Sequence, residues 1–232
     1  MLRYAVPLVI SLVATCAWAQ QAPPQAAAPP DAAASVQPAK ALVPMEEPRP
    51  GDRWTYEVRD EITGSVTATR ENVVTEVTPT TISVRFKKLG ANNAEEGFTV
   101  YDRSWNVVEA RPWRYSPHDG SGVQSPLEVG KTWPVRTNNI NSANGSIWKR
   151  SGTSKVIGQE SVTTRAGTFD TFKIETTIQV QNANDPTKKV QVVQQTWYAP
   201  AIDHWVKRSF LLRSDSRVRE KNTVELVEYG RR

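Results

Sequence analysis

Few residues in this chain of 232 have the types and spacing that chemistry needs. It has two histidines, His118 and His204, and one cysteine, Cys16. His118 stands beside Asp119, a pairing that suits a base with its orienting carboxylate or two ligands of a metal ion. No third ligand follows at a recognisable spacing. His204 precedes Trp205 at the start of a strand-like run, where an ordinary, partly exposed histidine is expected. Ser121 lies in Gly120-Ser121-Gly122, without the strand, elbow and helix that expose a nucleophilic serine. Val129-Gly130-Lys131-Thr132 keeps only the last three residues of a phosphate-binding loop and reads as a turn entering a strand. Asp102, Glu109, Asp119 and Asp170 are spaced with nothing that pairs two of them for glycoside chemistry. A non-enzymatic role is favoured, and no cofactor or metal is expected. The alternatives are an envelope protein–protein interaction or structural module, and an envelope hydrolase working through loop residues near His118 and Asp119.

The elements that must position any site begin after an expected leader. Residues 1–19 read as a signal peptide: Arg3 supplies the positive end, an apolar run follows, and Ala17-Trp18-Ala19 fits the cleavage rule. The run is too short for a permanent membrane span. Cys16 follows Val13-Ala14-Thr15, so a lipid anchor on that residue is a minor alternative to release. Cleavage after Ala19 removes the cysteine and with it disulfide and thiolate chemistry. Residues 20–50 alternate alanine clusters with prolines and offer almost no large side chain to bury, so a disordered, semi-rigid linker is expected there.

Residues 51–232 carry the folded domain, and their signal has period two. Trp54, Tyr56 and Val58 alternate with polar neighbours, as do Ile82, Val84 and Phe86. Trp148 opens a further series, with short strands punctuated at Gly158 and Gly167. Phe169, Phe172 and Ile174 break strict alternation, and a bulge near Asp170-Thr171 would reconcile them. Asn138 to Gly145 reads as a polar loop, a strand is expected after Pro134, and Asn182 to Thr187 is the clearest turn. No long helix is predicted. The expected fold is all-β, a single domain of about ten to thirteen antiparallel strands. They would form a strongly curved half-barrel or a barrel-like sheet, since one apolar face must be covered. The strands are too irregular, and their outer positions too charged, for an outer-membrane barrel.

The chain has 29 Lys and Arg against 24 Asp and Glu, and Arg3 would leave with the signal. Its basic C-terminal part contains Lys207, Arg208, Arg213, Arg217, Arg219, Lys221, Arg231 and Arg232, read as a solvated outer face. Export argues against nucleic acid. A lipid, lipopolysaccharide or an envelope protein is the expected class of partner. Beyond the leader, tryptophans stand at 54, 105, 113, 133, 148, 197 and 205. Such side chains fill a curved sheet or line a cavity in it. The candidate ligand-binding residues are Trp113, Tyr115, Trp148, Trp197 and Trp205. Trp113 and Tyr115, in the irregular stretch with His118, would form a lid or rim.

Gly51-Asp52-x-Trp54-x-Tyr56 opens the domain. Pro126-Leu127-x-Val129-Gly130-Lys131-Thr132-Trp133 follows, then Gly158-x-Glu160-x-Val162, Ala166-Gly167-Thr168-Phe169, Lys173-Ile174 and Trp197-Tyr198-Ala199-Pro200. Together these resemble exported bacterial proteins of the DUF3108 or TapB-like type, over roughly residues 51 to 210. That family often continues with a Gly-x-Gly turn, where this chain has Ala201-Ile202-Asp203. The resemblance implies an exported β-rich shell and brings no catalytic residues with it. The expected location is the periplasm or the exterior.

Overall fold

The computed structural model describes residues 45–90 and 94–231. The expected leader and most of the expected linker lie outside them. Twelve strands follow one another among the described residues. They are β1 (Arg53–Asp60), β2 (Val66–Val77), β3 (Thr81–Gly90), β4 (Ala94–Asp102), β5 (Val107–Ala110), β6 (Trp113–Ser116), β7 (Thr132–Asn141), β8 (Ile147–Thr164), β9 (Gly167–Asn182), β10 (Lys189–Ala199), β11 (His204–Ser214) and β12 (Arg217–Gly230). Each pairs antiparallel with the next, and β1 pairs with β12, so the sheet is a closed barrel. The all-β expectation therefore holds, and the curvature runs to full closure. No described helix is long and apolar enough to cross a membrane.

Alternation explains which side chains go in. Trp54 and Tyr56 on β1, Ile82 and Val84 on β3, Trp133 and Val135 on β7, and Ile174 and Ile178 on β9 are all buried. Buried hydroxyls among them pair with each other, as Ser154 Oγ does with Thr176 Oγ1 at 2.8 Å. The packed unit also includes residues upstream of Gly51. Met45 is buried in the main apolar cluster, and its N–H donates to the Ala201 carbonyl at 2.9 Å.

Several local expectations are corrected. β8 is one long strand that runs through Gly158, and its register shift lies between Val156 and Gly158. Phe169 to Phe172 pair in unbroken register, so the bulge sits at Ile157 of the partner strand and not at Asp170-Thr171. Asn138 to Asn141 belong to β7 and not to a loop, because they pair with both β6 and β8. Pro134 lies inside β7 opposite Thr153, on the length of the strand that β6 does not reach. A missing N–H costs nothing in the ladder on that side.

The connection from β6 to β7 dips into the barrel in its first half before returning to the surface. Asp119, Gly120, Ser121, Gly122 and Val123 are all buried. The Asp119 N–H donates to the Val107 carbonyl at 2.8 Å, and the Val123 N–H donates to the Ser104 carbonyl at 2.8 Å. Asp102 organises the receiving turn: its Oδ1 accepts the N–H groups of Ser104 and Asn106, and its Oδ2 accepts the Asn106 side-chain amide. Asn106 Oδ1 in turn accepts the Gly122 N–H at 2.8 Å. A Cβ on Gly122 would lie 2.2 Å from the Ser104 carbonyl oxygen, so only glycine fits there.

A second close approach generates a prediction for the wall. A Cβ on Gly152 of β8 would meet the Thr177 carbonyl oxygen of β9 at 2.0 Å, whereas one on Gly158 would meet nothing within 4 Å. Gly152→Ala should destabilise the barrel by about 2–3 kcal/mol, the range for overpacking a tight site. Gly158→Ala should change stability by less than about 0.5 kcal/mol. Thermal unfolding of both variants beside the parent checks this, and equal midpoints would contradict it.

Candidate ligand cavity in the barrel lumen

A cavity of about 290 Å³ occupies the lumen between β1–β6 and β10–β12, closed on one side by the inserted β6–β7 connection. Apolar lining comes from Val58, Val84, Val107, Ala110 and Val224, and aromatic lining from Trp54, Tyr101, Tyr115 and Trp205. Polar groups also converge on it, chiefly Arg70, Asn72, Asp119, Ser121, His204 and Arg208.

His204 holds the aromatic side of the cavity together. Its ring lies 4.5 Å from Trp54 and 4.3 Å from Trp105, centroid to centroid. Its Nδ1 lies 3.0 Å from the Trp205 backbone nitrogen and 3.0 Å from the Tyr56 hydroxyl, which donates to the Trp205 carbonyl at 3.0 Å. Burial pushes the imidazole pKa down to about 3, and the charge of Arg208 acts in the same direction. His204 was expected to be partly exposed. It is buried, because the residue opens β11 with its side chain turned inward among the tryptophans.

Arg208 is the second feature the sequence reading misplaced. The sequence places it on a solvated basic face, whereas the structure places it in the lumen, past a bulge at Val206. Its guanidinium carbon lies 4.5 Å over the Trp205 ring, and its Nη2 donates to the Ser121 carbonyl at 3.2 Å. Its Nε has no partner, and among the described residues no carboxylate comes within ion-pair distance. Burial pulls its pKa down, opposed by Tyr101 and Asp119. Arg70 contributes a second cation, stacked 4.4 Å over Phe86 with Nε donating to Asn72. Two other members of the basic stretch are paired elsewhere: Lys207 with Glu225, and Arg231 with buried Asp52.

Tyr115 and Trp205 of the five candidate aromatics reach this cavity. Burial, then the charge of Asp119, raises the Tyr115 pKa. Trp113 is half-buried on β6 opposite Ala110 and Asn141, and Trp148 is half-buried on β8 between Asn139 and Asn182. Trp197 takes the alternate position to Thr196. Its ring lies under the ammonium groups of Lys173 and Lys207, and its indole N–H donates to Glu160, the main cause of that carboxyl's lowered pKa. These three do not meet Tyr115 and Trp205 in one site. Of the two residues expected at a lid or rim, Tyr115 lines the cavity, and the buried segment 119–123 follows both in the chain.

His118 and Asp119 do not act on each other. His118 Nδ1 accepts the Gly120 N–H at 3.1 Å, and Asp119 Oδ1 accepts the N–H groups of Val107 and Ser121. Among the described residues no three His, Cys, Asp or Glu side chains gather closely enough to hold a metal ion.

The later motifs singled out in the sequence lie on β8, β9 and β10 and the turns beside them. Residues 130–208 match the DUF3108-like family. No curated protein matches the chain significantly. Solved structures share its fold at low identity. A provisionally named lipoprotein from Parabacteroides distasonis is 13% identical, covers 82% of this chain and 100% of its own, and superposes with a TM-score of 0.57. An exported protein with a YmcC-like fold from Bacteroides fragilis, also provisionally named, is 14% identical, covers 79% and 97%, and scores 0.49. The hypothetical lipoprotein YmcC from Escherichia coli is 12% identical, covers 76% and 84%, and scores 0.43.

The neutral His204 makes a pH prediction. Its folded pKa lies below the unfolded value, so between about pH 6.5 and pH 3 the unfolded chain binds the extra proton and stability falls as pH falls. Lowering the pH from 7 to 5 should cost about 2 kcal/mol from this group. His204→Gln should remove that part of the pH dependence. Urea unfolding at the two pH values checks it, and an unchanged slope in the variant would count against the assignment.

Proposed function

We propose that this is a non-enzymatic, exported envelope protein whose barrel holds a small amphipathic ligand in its lumen. The observation that carries the reading is the cavity itself: valines and aromatic rings share its wall about equally with polar groups, which suits a ligand with one apolar and one polar end. Export is supported by the expected signal sequence at residues 1–19 and by the Parabacteroides distasonis structure of similar fold, which is provisionally named a lipoprotein.

Size restricts the ligand. A space of 290 Å³ takes about ten groups of the volume of a water molecule, at about 30 Å³ each. A whole phospholipid or lipopolysaccharide is far larger, so the occupant is a single short chain or a comparably small molecule. The hydrolase alternative lacks support in the geometry, since the hydrogen-bonding capacity of Asp119 Oδ1 and His118 Nδ1 is used on their own loop and on Val107.

Native mass spectrometry of residues 20–232, purified from a bacterial periplasm and then extracted with solvent, tests the reading. A stoichiometric small adduct is expected. Ala110→Phe, which fills the lumen, should fold and lose it. A clean apo mass that persists after incubation with an envelope lipid extract would overturn the proposal.

A further inference from the structure

We infer that the lumen ligand carries a single carboxylate, bound by Arg208 with Arg70 beside it; this rests on the ligand reading above. The argument is one of charge and hydrogen-bond inventory. The cavity is lined by two cations, Arg70 and Arg208, and one carboxylate, Asp119, which leaves one positive charge over. Asp119 does not neutralise Arg208 by contact: no ion pair joins them, and Asp119 Oδ1 is taken by two backbone N–H groups. His204, buried among Trp54, Trp105 and Trp205, is kept neutral by burial.

Arg208 is also short of acceptors. A guanidinium has five N–H groups, and here one of them donates to a protein oxygen, the Ser121 carbonyl. Nε is unpartnered, and so is the hydroxyl of Ser121 next to it. Arg208 is half-buried, but its Nε is shielded from water and unpartnered. An anion in the cavity would supply both the missing charge and the missing lone pairs. A planar carboxylate matches the guanidinium fork and cancels the surplus of one, whereas a phosphate dianion would overshoot it. The valine and aromatic wall then takes an alkyl or aryl tail. The ligand class is a medium-chain carboxylic acid.

Octanoate, with its heavy atoms near the number the cavity holds, is the probe, and octanamide is its neutral match in shape. Isothermal titration of the mature protein should show octanoate binding at least tenfold more tightly than octanamide. Arg208→Gln should erase that preference while leaving octanamide affinity within about twofold, and Arg208→Lys should keep part of it. Arg70→Gln should weaken octanoate severalfold, and it serves as a second test if Arg208→Gln fails to fold. Equal binding of the two probes by the parent protein would overturn the anion assignment and leave the lumen reading standing. Tighter binding of octyl phosphate than octanoate would overturn the carboxylate assignment in favour of a phosphate. Acetate binding as tightly as octanoate would overturn the amphiphile. Absence of binding by every probe, together with a clean apo mass, would sink both readings.

Discussion

Every edge of this sheet is paired, and the structure depends on the seam where β1 meets β12. An open sheet of this length would present two rows of unpaired backbone groups. Closure satisfies them and gives the inward side chains a common interior. The seam is fastened beyond its ladder by Arg231, whose Nε and Nη2 grip the two oxygens of Asp52 at 2.9 and 3.0 Å. Asp52 is fully buried, and its Oδ2 also accepts the Arg49 N–H. A buried carboxylate of this kind is favourable only while those partners stay in place. The clamp therefore ties the chain's last strand to the turn that begins its first.

Inside the barrel, wall and filling have different origins. The strands alternate, so they supply a lumen lined by whatever stands at every second position. Tryptophans and valines fill most of it. The segment 119–123 occupies another part, held by Asp102 and Asn106 rather than by an apolar anchor alone. The remaining space lies between this segment and the aromatic group around His204. Its polarity comes from both sides, with Ser121 and Asp119 from the loop and Arg208 and Arg70 from the wall.

Much of the fold was legible because period-two patterning is a local property. Trp54, Tyr56, Ile82 and Val84 point inward as their spacing requires. Boundaries fared worse at Asn138–Asn141, where poor strand formers are held by two flanking partners that no local window contains. The site was less legible still. Tyr115 and Trp205 were identifiable as large aromatics, but so were Trp113, Trp148 and Trp197, and only closure of the barrel decides which of them share a space. Arg208 carried a usable signal: it stands at even spacing from His204 and Val206, the buried side of β11. A run of neighbouring cations hid that phase, because a basic stretch reads as solvated unless each member's face is followed separately.

The order of the strands also shapes how the chain comes together. Each pairing but one joins consecutive strands, so most of the barrel can be assembled from hairpins close in sequence. The exception joins residues near 53 to residues near 230, and its loop-closure entropy is met only once. Until it forms, β1 and β12 are naked edges. β12 is suited to that interval: Arg217, Arg219, Glu220, Lys221, Glu225 and Glu228 crowd it with charge of both signs. Such a strand is a poor template for the edge of another molecule. Glu225 already pairs with Lys207 across the β11–β12 hairpin, and Glu228 finds Arg53 of β1 once the ring shuts. A charge that discourages intermolecular pairing during assembly thus becomes part of the finished seam.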